Sequence, residues 1–267
     1  MMANLNDTIT ITESQIEAFR NNGHVLTRHL LSADEVAGYR DVINAAAYRY
    51  NTETRPLAER DTYGRAFLQI MNLWEVDAAV RQFTLAKRFA HVAATLLGVE
   101  NVRIYHDQAL YKESGGGATP WHQDQYYWPL NTNNTVTMWM PLINISVDMG
   151  MLTFASGSHK EGFVENIPIS DESDAILEHF INDRGFAISR PEYMHAGDAT
   201  WHYGWTLHAA PGNKGEVTRE VMTIIYFADG ASVTSPQNKH QENDRNRWLQ
   251  GLEPGEPAAS ELNPLIL

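Results

Sequence analysis

The chain changes character once, and that change limits the folds open to it. Up to Gly98 the apolar residues recur at helical spacing. From Asn101 onward they fall into short alternating runs split by turns. Thr12 is placed to cap a helix over about 13–22, which Gly23 ends, and residues 25–27 read as a short strand. Ser32 and Glu35 form a capping box that opens a second helix to about residue 46, with Val36, Tyr39, Val42 and Ile43 on one face. Residues 67–74 are mostly apolar but are interrupted by Gln69 and Asn72, and 76–97 carry helical periodicity in two pieces. Strands are expected over 101–111, 135–145, 151–155, 199–209 and 220–228. Residues 160–197 form a long polar excursion of the kind that often serves as a lid. From Ser235 the chain is polar and proline-punctuated and is expected to lie over the surface. Helices first and short strands afterwards predict one domain over 1–267. A helical cover (about 12–98) would lie on an antiparallel barrel or sandwich (about 99–230), followed by a tail (231–267).

Composition narrows the chemistry. The 267 residues include no cysteine, which removes disulfides, thiolate zinc sites, iron–sulfur clusters and cysteine nucleophiles, and leaves His, Asp and Glu as strong metal ligands. A net charge of -13 argues against nucleic acid and against anionic membranes as partners. No apolar run approaches the roughly 20 residues of a membrane-spanning helix. The N-terminal dozen residues lack a basic start and an apolar core, so no secretory signal is read and a cytoplasmic protein is expected.

The stretch carrying chemistry is Pro120-Trp121-His122-Gln123-Asp124-Gln125-Tyr126-Tyr127-Trp128. On a strand, His122 and Asp124 would point to the same face. A His and a carboxylate are two of the three protein ligands in a 2-His-1-carboxylate site, which leaves positions open on a non-haem Fe(II). The second His must come from another strand, with His195, His202 and His208 as the late choices. His208 is preferred because Arg219 follows it across a turn over 211–217. If the two flanking strands are neighbours, both side chains enter one cavity, where the planar Arg219 fork can anchor a dicarboxylate that chelates the metal. His195 and His202 read as structural or supporting residues, His159 as a turn-stabilising side chain, and His106-Asp107 as a polar pair without a third ligand nearby. Strand alternation would send some of the aromatics beside the ligands to the cavity mouth. A substrate pocket of Gln69, Asn72, Tyr127, Trp128 and Trp205 is expected.

His122-x-Asp124, Gly157-Ser158-His159, the run from Gly197-Asp198 through His202 to His208, Asn213 and Arg219 together resemble the phytanoyl-CoA dioxygenase family, from about residue 12 to the C-terminal Ser260–Pro264 region. The resemblance implies a double-stranded β-helix (a cupin-like jelly roll, mainly β with α) and an Fe(II)- and 2-oxoglutarate-dependent oxygenase that consumes O2. It implies that His122, Asp124 and His208 bind iron, that Arg219 pairs with the distal carboxylate of 2-oxoglutarate, and that Gln108 and Trp139 line the co-substrate site. One position departs: relatives often carry a hydroxyl residue two places after the distal His, and here that place holds Ala210. The anchor would then rest more on Arg219 with Gln108, Thr137 or another donor. A carboxylate at Asp124 argues against halogenation, because related halogenases carry a small residue there.

The implied activity is hydrogen abstraction from a C–H bond of a small molecule, ending in hydroxylation, cyclisation, epimerisation or desaturation, with natural-product tailoring (antibiotic biosynthesis) as the expected setting. Two alternatives stand beside it. An acyl-CoA hydroxylase would have to bring several negative charges to a chain of net charge -13. A cupin-like binding protein without turnover would have little use for a complete ligand set and Arg219. Oligomeric state is left open.

Overall fold

The computed structural model describes residues 3–267. The N-terminal layer is built by local signals. In α1 (Glu13–Asn22) the Thr12 hydroxyl accepts from the Gln15 amide, and the Gln15 side chain answers the Thr12 amide. Gly23 ends the helix at φ 82°, a left-handed conformation that glycine adopts without a Cβ penalty. After β1 (His24–Thr27), the Ser32–Glu35 capping box opens α2 (Ala33–Tyr50), which runs a turn past the expected end. Its last turn is exposed, with Tyr48 90% accessible, so no apolar stripe marks it. Then come α3 (Thr62–Ala66), β2 (Leu68–Met71), α4 (Leu73–Val76), α5 (Ala78–Thr84) and α6 (Lys87–Leu97). Among the described residues no helix is long and apolar enough to cross a membrane.

The strands that follow are β3 (Val102–Lys112), β4 (Thr119–His122), β5 (Thr135–Pro141), β6 (Ile145–Ser146) and β7 (Thr153–Ser156). Helix α7 (Asp171–Arg184) precedes β8 (Ala187–Ser189), β9 (Tyr193–Met194), β10 (Ala199–Tyr203), β11 (His208–Ala210) and β12 (Arg219–Ala228), and α8 (Lys239–Trp248) comes last. All pairings are antiparallel: a large sheet β1-β10-β5-β12-β3-β2, a smaller sheet β4-β11-β7-β8, and the short pair β6-β9. The chain is thus mainly antiparallel β with a helical layer, as expected, but hydrogen bonding does not close the sheets into one barrel. β11 and β12, expected as neighbours, belong to different sheets.

Strand parity separates the two faces of the large sheet. Val136, Met138 and Met140 of β5, Trp201 of β10 and Met222, Ile224 and Tyr226 of β12 pack in one cluster with Phe83, Phe89, Val92 and Leu96 of the helices. Each such side chain contributes about 1.5–3 kcal/mol by leaving water. The alternate residues Thr137, Trp139, His202 and Thr223 line a cavity with side chains of the smaller sheet. β3 changes parity part-way. Ile225 pairs with His106 and Tyr226 with Ile104, so Tyr105 is an extra residue in the ladder. This bulge leaves Ile104 against the helices and turns His106, Gln108 and Leu110 to the cavity.

Two helices in the C-terminal half carry no sequence signal: the excursion over 160–197 contains the 14-residue α7, and the tail contains the 10-residue α8. Only Ser173, Leu177 and Ile181 of α7, and Gln241 and Trp248 of α8, are buried, so neither has the broad apolar face that reveals a helix.

Candidate functional site

β4 and β11 lie side by side with His208 directly opposite His122, which sets the two rings 4.0 Å apart between centroids. Asp124 arrives differently from the expectation. β4 stops at His122, and Asp124 begins a 3₁₀ turn, so a bend rather than strand parity brings the carboxylate round. Gln123 pins that bend: its Nε2 donates to the carbonyls of Gly162 and Trp205, both at 2.7 Å.

The hydrogen bonds orient all three groups. His122 Nδ1 lies 2.7 Å from the Pro120 carbonyl, and His208 Nδ1 2.9 Å from that of Thr206. A carbonyl only accepts, so each Nδ1 carries a proton and each Nε2 is the nitrogen turned toward Asp124. Both Nε2 atoms lie 3.6 Å from the same oxygen, Asp124 Oδ1. The other oxygen, Oδ2, is held by the Thr137 hydroxyl at 2.8 Å and by His202 Nε2 at 3.2 Å. Burial alone would raise the Asp124 carboxyl, but His208, His122 and His202 hold it well below the usual carboxylate range. Burial, then His122, pushes the His208 imidazole well down, so it is neutral. Two imidazole Nε2 atoms and one carboxylate oxygen facing a common point are a donor set for a divalent transition metal. Among the described residues these three are the one His/Cys/Asp/Glu group close enough to hold an ion, with ligand atoms within 4.8 Å of one another.

Arg219 lies on the large sheet in the same cavity and is 2% exposed. It donates to the Gly150 carbonyl and sits 5.1 Å over the Trp139 ring, yet its Nε has no partner and it forms no ion pair. Burial draws it down to about 9. Lys112, its cross-strand partner, is fully buried and drawn down to about 6 by burial and by Arg219. Its Nζ donates to the Gly117 carbonyl and, at 3.3 Å, to the Thr119 hydroxyl. A buried guanidinium that faces the cavity without a carboxylate makes an anion site. A hydroxyl is also present. Thr119 pairs with Ala210 across β4 and β11, and both line the cavity. A hydroxyl thus faces the cavity from the strand beside Ala210.

Comparison with known proteins agrees. The family model described as phytanoyl-CoA dioxygenase (PhyH) matches residues 19–221. The chain belongs to the phytanoyl-CoA dioxygenase family. Methylphosphonate hydroxylase of Gimesia maris is 23% identical over 82% of either chain. Two solved structures share the fold. The non-haem alpha-ketoglutarate-dependent carbocyclase SnoK of nogalamycin biosynthesis superposes with a TM-score of 0.79 at 22% identity, covering 96% of this chain and 97% of that one. EctD from S. alaskensis, solved with 2-oxoglutarate and 5-hydroxyectoine, superposes with a TM-score of 0.67 at 22% identity, covering 88% and 84%.

In this family member the cavity holds about 430 Å³ and also takes in Gln69, Gln108, Tyr127, Trp128, Thr137 and Trp139. Tyr63, Gln69 and Gln108 form a relay, hydroxyl to amide to amide, at 2.9 and 2.7 Å. Two expected substrate residues lie elsewhere. Asn72 is turned behind the sheet, where its Oδ1 takes the Trp74 indole N–H and the Asp107 amide. Trp205 stands outside the cavity, donating to Asn133 at 2.9 Å and packing edge-on against Phe163. His106 and Asp107 point to opposite faces: His106 lines the cavity, and Asp107 accepts from the Leu73 and Trp74 amides and from Thr84. His202 props Asp124. His159 stacks on Tyr203 at 5.1 Å, and His195 lies apart from the cavity. Sequence reasoning did not place Thr119, His106 or the three α8 residues His240, Asp244 and Trp248 in the cavity, nor Lys112 behind Arg219. Lone polar residues in a strand and a charged C-terminal helix gave no pattern to find them by.

Proposed function

We propose that this chain is an Fe(II)- and 2-oxoglutarate-dependent oxygenase that activates a C–H bond of a small molecule, with His122, Asp124 and His208 as iron ligands. The supporting observation is the convergence of two His Nε2 atoms on Asp124 Oδ1 in the cavity that also holds the unpaired Arg219. When bound, the iron and 2-oxoglutarate supply O2-dependent decarboxylation to succinate and CO2 coupled to hydrogen abstraction from the substrate. The protein's part is placement. Thr137 and His202 fix the carboxylate so that Oδ1 alone turns inward. Arg219, with the Thr119 hydroxyl beside it, takes the distal carboxylate, and Trp139 forms the floor under the guanidinium. Gln108, Gln69, Tyr127 and Trp128 line the remainder of the cavity for the substrate.

The carbocyclase neighbour belongs to antibiotic biosynthesis, and the tailoring of a natural product is the setting we favour here. An acyl-CoA is disfavoured, because Arg219 is the one Lys or Arg among the residues lining the cavity. Anaerobic addition of Fe(II) and 2-oxoglutarate to apoprotein tests the proposal. A visible charge-transfer band, followed on exposure to O2 by succinate release, is expected; absence of both from folded protein contradicts it.

A further inference from the structure

The cavity is electrostatically lopsided, and the lopsidedness names a substrate class. Along β12 the anion-binding Arg219 lies six residues from Ile225, the partner of His106, or about 20 Å of strand at ~3.3 Å per residue. At the His106 end the wall is aromatic and acidic. Trp128 and Trp248 line it, with Tyr105 5.5 Å behind Trp128 between ring centroids. Asp244 of α8 reaches in from the C-terminal segment, and its Oδ2 accepts a single hydrogen bond, from the Tyr105 hydroxyl at 3.0 Å. Among the described residues no Lys, Arg or His lies within ion-pair distance of it. The neighbouring arginines on α8 are engaged elsewhere, Arg245 with Glu253 and Arg247 with Glu75. His106, 3% exposed, also faces this end, and its buried Nδ1 has no partner.

We propose that the substrate carries a basic nitrogen, bound as an ammonium by Asp244 within the Trp128–Trp248 end of the cavity. The proposal rests on the oxygenase reading and names the kind of molecule that reading leaves open. A half-buried carboxylate facing the cavity with one neutral hydrogen bond is under-compensated; burial pushes Asp244 up to about 7. A cation restores that compensation in full, which a neutral hydroxyl cannot do, and aromatic faces stabilise it further. His106, drawn down to about 3 by burial, is neutral and adds no repelling charge. The chain's net charge of -13 draws cations in the same sense. Phosphates, phosphonates and acyl-CoA would meet Asp244 with like charge.

Cyclohexylammonium and its neutral counterpart cyclohexanol serve as probes, titrated calorimetrically at pH 8 against wild-type protein, Asp244→Asn and Asp244→Glu. Wild type is expected to bind the ammonium at least tenfold more tightly than the alcohol. Asp244→Glu should keep most of that preference, and Asp244→Asn should lose it. Equal binding of the two probes by wild type, or an undiminished preference in a folded Asp244→Asn, overturns the proposal. Iron binding and 2-oxoglutarate turnover, measured on the same wild-type sample, report on the oxygenase reading separately. Failure there with amine selectivity intact sinks that reading, and the reverse sinks only this one.

Discussion

At the level of single residues, the site depends on groups that are buried with one interaction missing. Arg219 is the clearest, since a guanidinium 2% exposed with an unpaired Nε is costly unless an anion enters. Hydrogen bonds to charged groups contribute about 1.5–3 kcal/mol each, so Arg219→Leu should raise the KM for 2-oxoglutarate at least tenfold. Steady-state succinate formation measures this, and an unchanged KM would remove Arg219 from the anchor. His122 and Asp124 stood out in the sequence as a His-x-Asp pair, and His208 and Arg219 as a second pair eleven residues apart. Lys112 and Thr119 did not, because their meaning comes from the strands opposite them, Arg219 for one and Ala210 for the other. Asn72 and Trp205 misled for a related reason. Their neighbours in sequence face the cavity, but a left-handed residue at Asn72 (φ 51°) and the turn before β11 send these two away.

Among elements, short segments do the positioning, and the cavity wall is completed by Pro168 and Ile169 of the 160–197 segment and by His240, Asp244 and Trp248 of α8. Trp121 on β4 donates its amide to Asp174 of α7 at 2.8 Å, and Ile169, just before that helix, donates to the Tyr127 hydroxyl at 3.0 Å. The segment over 160–197 is therefore tied to the strand that carries His122. Asp174→Ala should loosen that tie, raising substrate KM several-fold and increasing succinate formed without product while leaving iron content unchanged. The ratio of succinate to oxidised product measures it, and tight coupling in the variant would contradict a covering role. The N-terminal helices were legible because Thr12, Ser32 and Gly23 are local signals that need no tertiary partner. Helix α7 hid behind a Ser170–Ser173 cap and three buried side chains, and α8 behind a run of charge. Both owe their helicity to docking on the sheets, which a reading of local pattern cannot register.

For the whole molecule, the central claims are a buried ionisable interior and one metal centre. His24 of β1, hydrogen-bonded to Ser156 at 2.8 Å and stacked on Phe154, is drawn by burial to about 4. Between pH 6.5 and about 4 the unfolded chain therefore binds a proton that the folded chain refuses, and stability falls as pH falls. Asp107, pushed up to about 7 by burial, acts in the opposite sense across that whole range, so the difference between variant and wild type carries the test. His24→Gln should lose less stability than wild type between pH 6.5 and 4.5 in urea titrations, whatever its stability at pH 7; parallel curves would contradict a neutral, buried His24. The general architecture, mainly antiparallel strands under helices, was legible in the switch from helical to alternating spacing near residue 99. The division into separate sheets was not, since it is set by pairings between distant strands such as β11 with β4 and β12 with β3. The most direct measurement for the whole account is the ferrous iron content of anaerobically reconstituted, desalted protein. Wild type should retain one iron per chain, and Asp124→Ala and His208→Ala, with unchanged circular dichroism, should retain almost none. Equal iron retention by either folded variant would contradict the assignment.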